Sequence, residues 1–397
     1  MTQQEQKQLA HGLACLSVFR GMLQYPAMSA LTALLDAPAD TRQKAQSMGE
    51  FVYALAGDGY CLSDFLCRTV YADENPLIVS AARGEEIPAF LMQNAQRELA
   101  LFTRLTELRA ADLFCPSDAG EYVPQFENRR VDFEKTYLQR MAQVDRFGYG
   151  IFATAKMFRA AGDSILPVQS ADGIELTSFV GYEAQRKQVF DNTKALCEGK
   201  PAANVLLFGD AGTGKSSTVK ACANYFADRG VRLIELRKDQ LFSLSDIMGR
   251  IAANPLKFII FIDDLSFNTN DDCFSMLKAV LEGSASAKAK NAVIYATSNR
   301  RHIVKESFSD RGASDDIHHN DTVQELMSLS DRFGLAVYFE KPNKALYLQI
   351  IHSLAQKNGI ETDQKELDIQ AEAFALARGN RSPRTAEQFI NSLIAKQ

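Results

Sequence analysis

Residues 204–216 read Asn204-Val205-Leu206-Leu207-Phe208-Gly209-Asp210-Ala211-Gly212-Thr213-Gly214-Lys215-Ser216, an apolar run that leads straight into the pattern G-x-x-x-x-G-K-S. The apolar run predicts a buried strand over 204–208, and the residues after it predict a helix over 217–228. Glycines at 209, 212 and 214 let the backbone bend so that successive N–H groups face inward at the positive end of that helix. Such a nest suits phosphate. In a loop of this kind Lys215 reaches the β- and γ-phosphates of a nucleoside triphosphate, and the Ser216 hydroxyl takes a place on Mg²⁺. Asp210, Ala211, Thr213 and Ser217 complete the candidate cofactor-binding segment. The strand before it and the helix after it separate it from a chance glycine-rich turn.

On either side of this segment, from about residue 177 to 340, short apolar runs alternate with helical patterns. Strands are expected at 204–208, 231–236, 258–262, 292–296 and 335–339, in a mostly parallel sheet covered on both faces. Ligands of such sheets gather beyond the carboxyl ends of the strands. The third run ends in Asp263-Asp264; the first acid is expected in the Mg²⁺ shell and the second where an attacking water is oriented or deprotonated. The fourth ends in Thr297-Ser298-Asn299, and the Asn299 amide donates and accepts hydrogen bonds without adding charge. Arg332, in Ser328-Leu329-Ser330-Asp331-Arg332-Phe333-Gly334, carries a permanently charged fork suited to phosphate oxygens, the chemistry of an arginine finger. Arg384 stands in the first turn of a helix opened by Pro383, placed to touch a nucleotide. Taken singly, these acids read as solvated strand ends, the amide as a cap, and the arginines as surface ion pairs. Their order in the chain is what makes them a set.

A chain of 397 residues suggests two or three domains. The expected division is a helical N-terminal domain over 1–160, a linker over 161–176, an α/β nucleotide-binding core over 177–340 and a helical lid over 341–397. Within the first, helices are expected at 9–23, 28–35, 43–55, 87–108 and 133–159; in the last, at 344–357, 365–377 and 383–396. The longest strongly apolar stretch, 258–262, is far too short to span a bilayer, and residues 1–6 lack the basic start of a secretion signal. Seven cysteines without a C-x-x-C pair read as free thiols, so a cytoplasmic location is expected. A net charge of −5 argues against an indiscriminate nucleic-acid binder. His318-His319 reads as a solvated loop rather than a metal site, and Arg129-Arg130 and Arg140 with Arg146 as helix surface with interspersed acids.

The order of motifs resembles that of the AAA+ ATPases. Ser178-Phe179-Val180-Gly181-Tyr182-Glu183-Ala184-Gln185 is similar to the family's segment ahead of the phosphate loop, which borders the adenine pocket and implicates Val180 and Gly181. Asp263-Asp264, Asn299, Arg332 and Arg384 match its Mg²⁺ motif, first sensor, arginine finger and second sensor. More narrowly, Ile262-Asp263-Asp264-Leu265-Ser266-Phe267, the stretch from Ile294 to His302 and that from Ser328 to Leu335 resemble a bacterial AAA+ group known as domain of unknown function 815. The likeness covers roughly residues 174–397. It implies an α/β fold, with an AAA+ P-loop parallel-sheet core and a C-terminal helical lid following the helical N-terminal domain. It implies ATP and Mg²⁺ as cofactors and a homo-oligomeric ring or spiral, in which the arginine finger serves the neighbouring subunit's nucleotide. The expected activity is ATP hydrolysis that remodels or loads a macromolecular client, protein or DNA, with no membrane partner. The alternative is an ATP-gated binding module, like a helicase loader, with negligible turnover. Two departures bear on this choice. Asp264 stands where strong AAA+ motors commonly carry Glu, one methylene longer, so turnover is expected to be slow. Arg237-Lys238-Asp239-Gln240-Leu241-Phe242 lacks the aromatic-apolar-Gly loop of polypeptide-threading rings, which argues against an unfoldase. A P-loop kinase acting on a small acceptor would need neither the arginine finger nor the sensors.

Overall fold

A run such as Phe258-Ile259-Ile260-Phe261-Ile262 has no polar face, so it is stable only inside a sheet covered on both sides. The computed structural model places it there, with all five side chains fully buried. The structure describes residues 1–38, 42–114, 122–162, 164–168, 173, 175–176, 179–265, 272–282, 289–299 and 332–395. The chain divides into two units, Met1–Thr154 and Ala155–Gln397. Among the described residues no helix is long and apolar enough to cross a membrane.

The first unit is helical. Its longer helices are Gln3–Ala14, Pro26–Asp36, Arg42–Ala54, Leu62–Ala72, Pro76–Arg83, Ala89–Leu105 and Phe133–Met141. They enclose a core in which Phe19 meets the rings of Phe102 and Tyr137 edge-on, at centroid distances of 5.4 and 5.2 Å. The helix expected over 9–23 stops at Ala14 and gives way to a 3-10 turn, Arg20–Gln24. The cause is Glu98, whose buried carboxylate accepts the backbone N–H groups of Ser17, Val18 and Phe19 at 2.8–3.1 Å. Those donors are then spent on a side chain rather than on a helix. The helix expected over 133–159 likewise ends at Met141. Gly148 and Gly150 take φ of 70° and 59°, a left-handed backbone that a continuous helix excludes.

The second unit is built on a sheet whose strands are β1 (Met157–Ala161), β2 (Ser164–Pro167), β3 (Val205–Gly209), β4 (Val231–Leu236), β5 (Lys257–Ile262), β6 (Ala292–Ser298) and β7 (Leu335–Phe339). Among the described residues their order is β2-β1-β4-β5-β6-β3-β7. The β1–β2 pair is antiparallel and the other pairs are parallel. The expected linker over 161–176 and the domain edge at 160 are therefore corrected. The antiparallel pair β1 and β2 joins the sheet edge beside β4, and the division falls at Thr154. Burial explains it: Phe158 is fully buried and Met157 and Ala160 nearly so, while Gly162 turns the chain at φ 57°.

Helices Glu183–Cys197 and Lys215–Ala227 pack on the sheet, where the fully buried Tyr295 hydroxyl lies 2.8 Å from that of Thr193 and accepts the Asn192 amide at 3.0 Å. The lid is three helices, Lys344–Lys357, Gln364–Ala377 and Pro383–Ile394, around Tyr347, Ile351, Ala371 and Phe389. Each begins at a side-chain cap: Asn343, Asp363 and Ser382.

The strand order places β3 between β6 and β7, with Gly209 paired to Phe339. A Cβ at Gly209 would lie 2.1 Å from the Phe339 carbonyl oxygen, and φ is 130°. Gly209→Ala should therefore cost roughly 2 kcal/mol or more in urea denaturation. Gly249→Ala, exposed within helix Leu244–Ala252 with open space around it, should stabilise by about 0.5–1 kcal/mol. Equal effects of the two substitutions would contradict this account of β3.

Candidate functional site

The close approach at Gly209 fixes where the loop after β3 begins, and Asp210 donates its N–H to the Phe339 carbonyl at 3.3 Å. Thr213 closes the loop by donating its hydroxyl to the Asp210 carbonyl at 2.9 Å. Gly214, at φ 90°, opens the helix Lys215–Ala227. The loop thus leads into a helix N-terminus, where partial positive charge accumulates. The Lys215 ammonium curls back to donate to the Gly209 and Asp210 carbonyls at 3.0 and 2.7 Å. Burial pulls its pKa down to about 8, against the opposing pull of Asp210, Asp263 and Asp264.

Beyond β5 the two acids diverge. One oxygen of Asp263 accepts the Ser216 hydroxyl at 2.6 Å, the Thr297 hydroxyl at 2.5 Å and the Asp264 N–H at 3.2 Å. Asp264 adopts φ 53°, a left-handed backbone that Asp tolerates better than most residues. Its N–H also donates to the Thr297 hydroxyl oxygen at 2.9 Å, and its carboxylate accepts the Asn299 amide at 2.7 Å. One acid is thereby tied to the phosphate loop and the next to Asn299.

The lid touches the same loop. The Arg384 N–H donates to the Gly212 carbonyl at 3.3 Å, and a Cβ at Gly212 would come within 3.1 Å of the Ser382 hydroxyl oxygen. Gly181, at φ 79°, donates its N–H to Glu183, and a Cβ there would sit 2.6 Å from Leu346. Tyr182 stacks against Phe339 and donates its hydroxyl to the Glu340 carbonyl at 2.7 Å.

These groups surround a cavity of about 490 Å³. Its polar wall includes Gly212, Lys215, Ser216, Asp263, Asp264 and Asn299; its apolar wall includes Phe179, Val180, Tyr182, Phe339, Ile350 and Leu354. The donor set fits a triphosphate with Mg²⁺. Ser216 and Asp263 offer hard oxygens side by side, and among the described residues no group of three or more His, Cys, Asp or Glu side chains is placed to cage an ion. An ion held by so few protein ligands completes its shell with water and ligand oxygens, as Mg²⁺ does.

Of the residues singled out in the sequence, the cavity brings together Ala211, Gly212, Thr213, Gly214, Lys215, Ser216, Ser217, Val180, Asp263, Asp264, Asn299 and Arg384. Gly209 and Asp210 stand behind it, holding Lys215, and Gly181 shapes the turn beside Val180. Arg332 lies just ahead of β7, half-buried, and does not line this cavity. His318-His319 and residues 328–331 fall outside the described residues. In the first unit, Arg129 and Arg130 are paired with Asp64 and Glu107 at 2.6 and 2.9 Å. Sequence reasoning missed Thr297 and Arg186. Register was the signal for the first: Ile262 pairs with Ala296, so the residues that follow, Asp263 and Thr297, meet.

The family described as "Protein of unknown function (DUF815)" matches residues 131–397, more than half of the chain. None of the curated proteins matches the sequence. Among solved structures, the Holliday junction branch migration motor RuvB of Thermotoga maritima is similar at 15% identity and a TM-score of 0.37, covering 55% of this chain and 63% of that one. A point variant of the same RuvB gives 14%, 0.34, 55% and 72%.

The lowered pKa of Lys215 has a defined sign. A triphosphate in this cavity would need the ammonium, so its affinity should fall by up to about tenfold per pH unit above about pH 8. Lys215→Arg, charged throughout, should flatten that fall in calorimetric titrations. The same group makes stability rise between about 8 and 10.5, where the unfolded chain holds a proton that the folded chain has shed. A wild-type affinity that stays level through this range would overturn the assignment.

Proposed function

The chain belongs to the DUF815 family, and from that premise we propose that it is an AAA+ ATPase. In this reading it binds ATP with Mg²⁺, hydrolyses it where two copies meet, and uses the cycle to remodel or load a macromolecular client. The observation that carries the reading is the division of labour between adjacent acids: Asp263 shares an oxygen with Ser216 of the phosphate loop, while Asp264 faces Asn299.

The N–H groups of 212–216 would bind the phosphate oxygens, and the Lys215 ammonium would leave the Gly209 and Asp210 carbonyls to join them. Ser216 and Asp263 would hold Mg²⁺, which supplies charge neutralisation on the β- and γ-phosphates when bound. Asp264 would orient the attacking water and take its proton as the water oxygen bonds to the γ-phosphorus and the bond to ADP breaks. Asn299 would fix that carboxylate. Arg384 would report the nucleotide to the lid, whose helix already contacts Gly212. Arg332, standing outside its own chain's cavity, would complete the cavity of a neighbouring copy. The helical unit Met1–Thr154 would select the client. Free thiols at Cys15, Cys61, Cys67, Cys197 and Cys222 fit the reducing cytoplasm.

A second reading, an ATP-gated module acting on DNA with negligible turnover, is favoured by one observation. The short Asp264 side chain already spends a carboxylate oxygen on Asn299 at 2.7 Å.

Steady-state turnover separates the two. The first reading expects specific activity to rise with protein concentration, and Lys215→Ala and Arg332→Ala each to abolish it. Mixing the two variants one to one should restore about a quarter of the wild-type rate, the share of head-to-tail neighbour pairs that keep both groups. No recovery on mixing would remove the shared site. Tight ATP binding without turnover, together with salt-sensitive DNA affinity that differs between ATP and ADP, would establish the second reading instead.

A further inference from the structure

Arg186 lines the same cavity but has no part in the chemistry above. It stands in the first turns of helix Glu183–Cys197, and its side chain is only 13% exposed. Among the described residues its one carboxylate contact is Glu183, at 3.4 Å. That same Glu183 oxygen already accepts the Gly181 N–H at the shorter distance of 2.9 Å. The guanidinium carbon lies over the Phe179 ring, 5.7 Å from its centroid. A guanidinium carries several N–H donors in a planar fork, and one long bond to Glu183 leaves the others available to a molecule in the cavity. Burial accordingly pulls its pKa below the usual arginine value. Apolar side chains of the same cavity lining include Phe179, Val180, Tyr182, Ile350 and Leu354. Phosphate-binding cations already stand elsewhere, at Lys215 and Arg384.

A largely buried fork beside apolar side chains suits a planar ring that carries hydrogen-bond acceptors on its edge. We propose that Arg186 is a specificity-determining residue that reads the nucleotide base, donating to the N1 or the N7 acceptor on the edge of the ring while Phe179 backs the guanidinium. The inference rests on the nucleotide reading of the cavity and deepens it. Base recognition in this chain then depends on a cation as well as on shape. Arg186→Met keeps the length and apolar stem but removes the donors, and Arg186→Lys keeps a charged donor without the fork.

The test is calorimetric titration of the full chain with ATP, with 1-deaza-ATP and 7-deaza-ATP, and with inorganic tripolyphosphate. Relative to wild type, Arg186→Met should lose roughly tenfold or more in ATP affinity, the worth of a hydrogen bond to a charged group, with tripolyphosphate affinity unchanged. Arg186→Lys should recover part of that loss. Wild type should bind one of the two deaza analogues about as weakly as Arg186→Met binds ATP, and Arg186→Met should not distinguish that analogue from ATP. Equal loss of ATP and tripolyphosphate would make Arg186 a phosphate-facing charge and overturn the proposal. So would ATP affinity that survives Arg186→Met, or wild-type indifference to both deaza analogues. A wild-type chain that binds neither ATP nor tripolyphosphate would remove the nucleotide reading itself.

Discussion

The site is held together by one carboxylate oxygen. Asp263 receives the Ser216 hydroxyl from the phosphate-loop helix, the Thr297 hydroxyl from the end of β6, and the Asp264 N–H from its own chain, all on the same atom. Hydrogen bonds to a charged group contribute about 1.5–3 kcal/mol each, enough to offset part of the cost of drawing the carboxylate out of water. Because the three donors come from three elements, their geometry sets the spacing between β5, β6 and the loop. Asp264 inherits its position from this arrangement, since its N–H is shared between Asp263 and Thr297. Remove the oxygen and the left-handed turn at Asp264 keeps its bonds to Thr297 and Asn299 but loses the one to Asp263.

A second constraint couples the loop to the lid through glycines. A Cβ at Gly212 would crowd Ser382 and Arg384 at 3.1–3.4 Å, and one at Gly181 would push the Leu346 side chain aside. Tyr182 spans the same junction, with its ring on Phe339 and its hydroxyl on the Glu340 carbonyl just ahead of the first lid helix. A ligand that moves the loop backbone by a fraction of an ångström therefore meets the lid at once. Close-packed contacts of this kind transmit small shifts because they have no slack to absorb them.

Much of this was legible in the sequence because each motif ends a strand. The run from Phe258 to Asp264 names both a buried strand and the two acids beyond it, and the run from Val293 to Asn299 does the same for Asn299. What escaped was set by partners distant in sequence. The break after Ala14 depends on Glu98, 81 residues from Ser17, and no local pattern announces it. The β1–β2 pair looked like a linker because Gly162 and Pro167 are turn residues; only pairing with β4 makes strands of it. Arg186 sat in an ordinary helical pattern, and its burial became visible only in the folded chain, where its guanidinium lies over the Phe179 ring.

The charges lining the cavity explain why a metal ion belongs to the reading. Lys215, Arg384 and Arg186 face Asp263, Asp264 and Glu387, so the lining is close to neutral when all six are ionised. Net charge alone would then draw in a triphosphate weakly, and the tail would approach two carboxylates at the mouth of β5. What favours the anion is the helix end: residues 212–216 lead into the N-terminus of the helix Lys215–Ala227, where partial positive charge accumulates. What opposes it is the negative pair, and a divalent cation between the phosphates and Asp263 would turn that repulsion into attraction. The same balance accounts for the resting position of Lys215. Its ammonium donates to two loop carbonyls rather than to a carboxylate, bonds that a phosphate could replace at little cost. A lysine paired with Asp263 would have to break an ion pair before it could bind a nucleotide. The loop avoids that by giving Asp263 to Ser216 and Thr297.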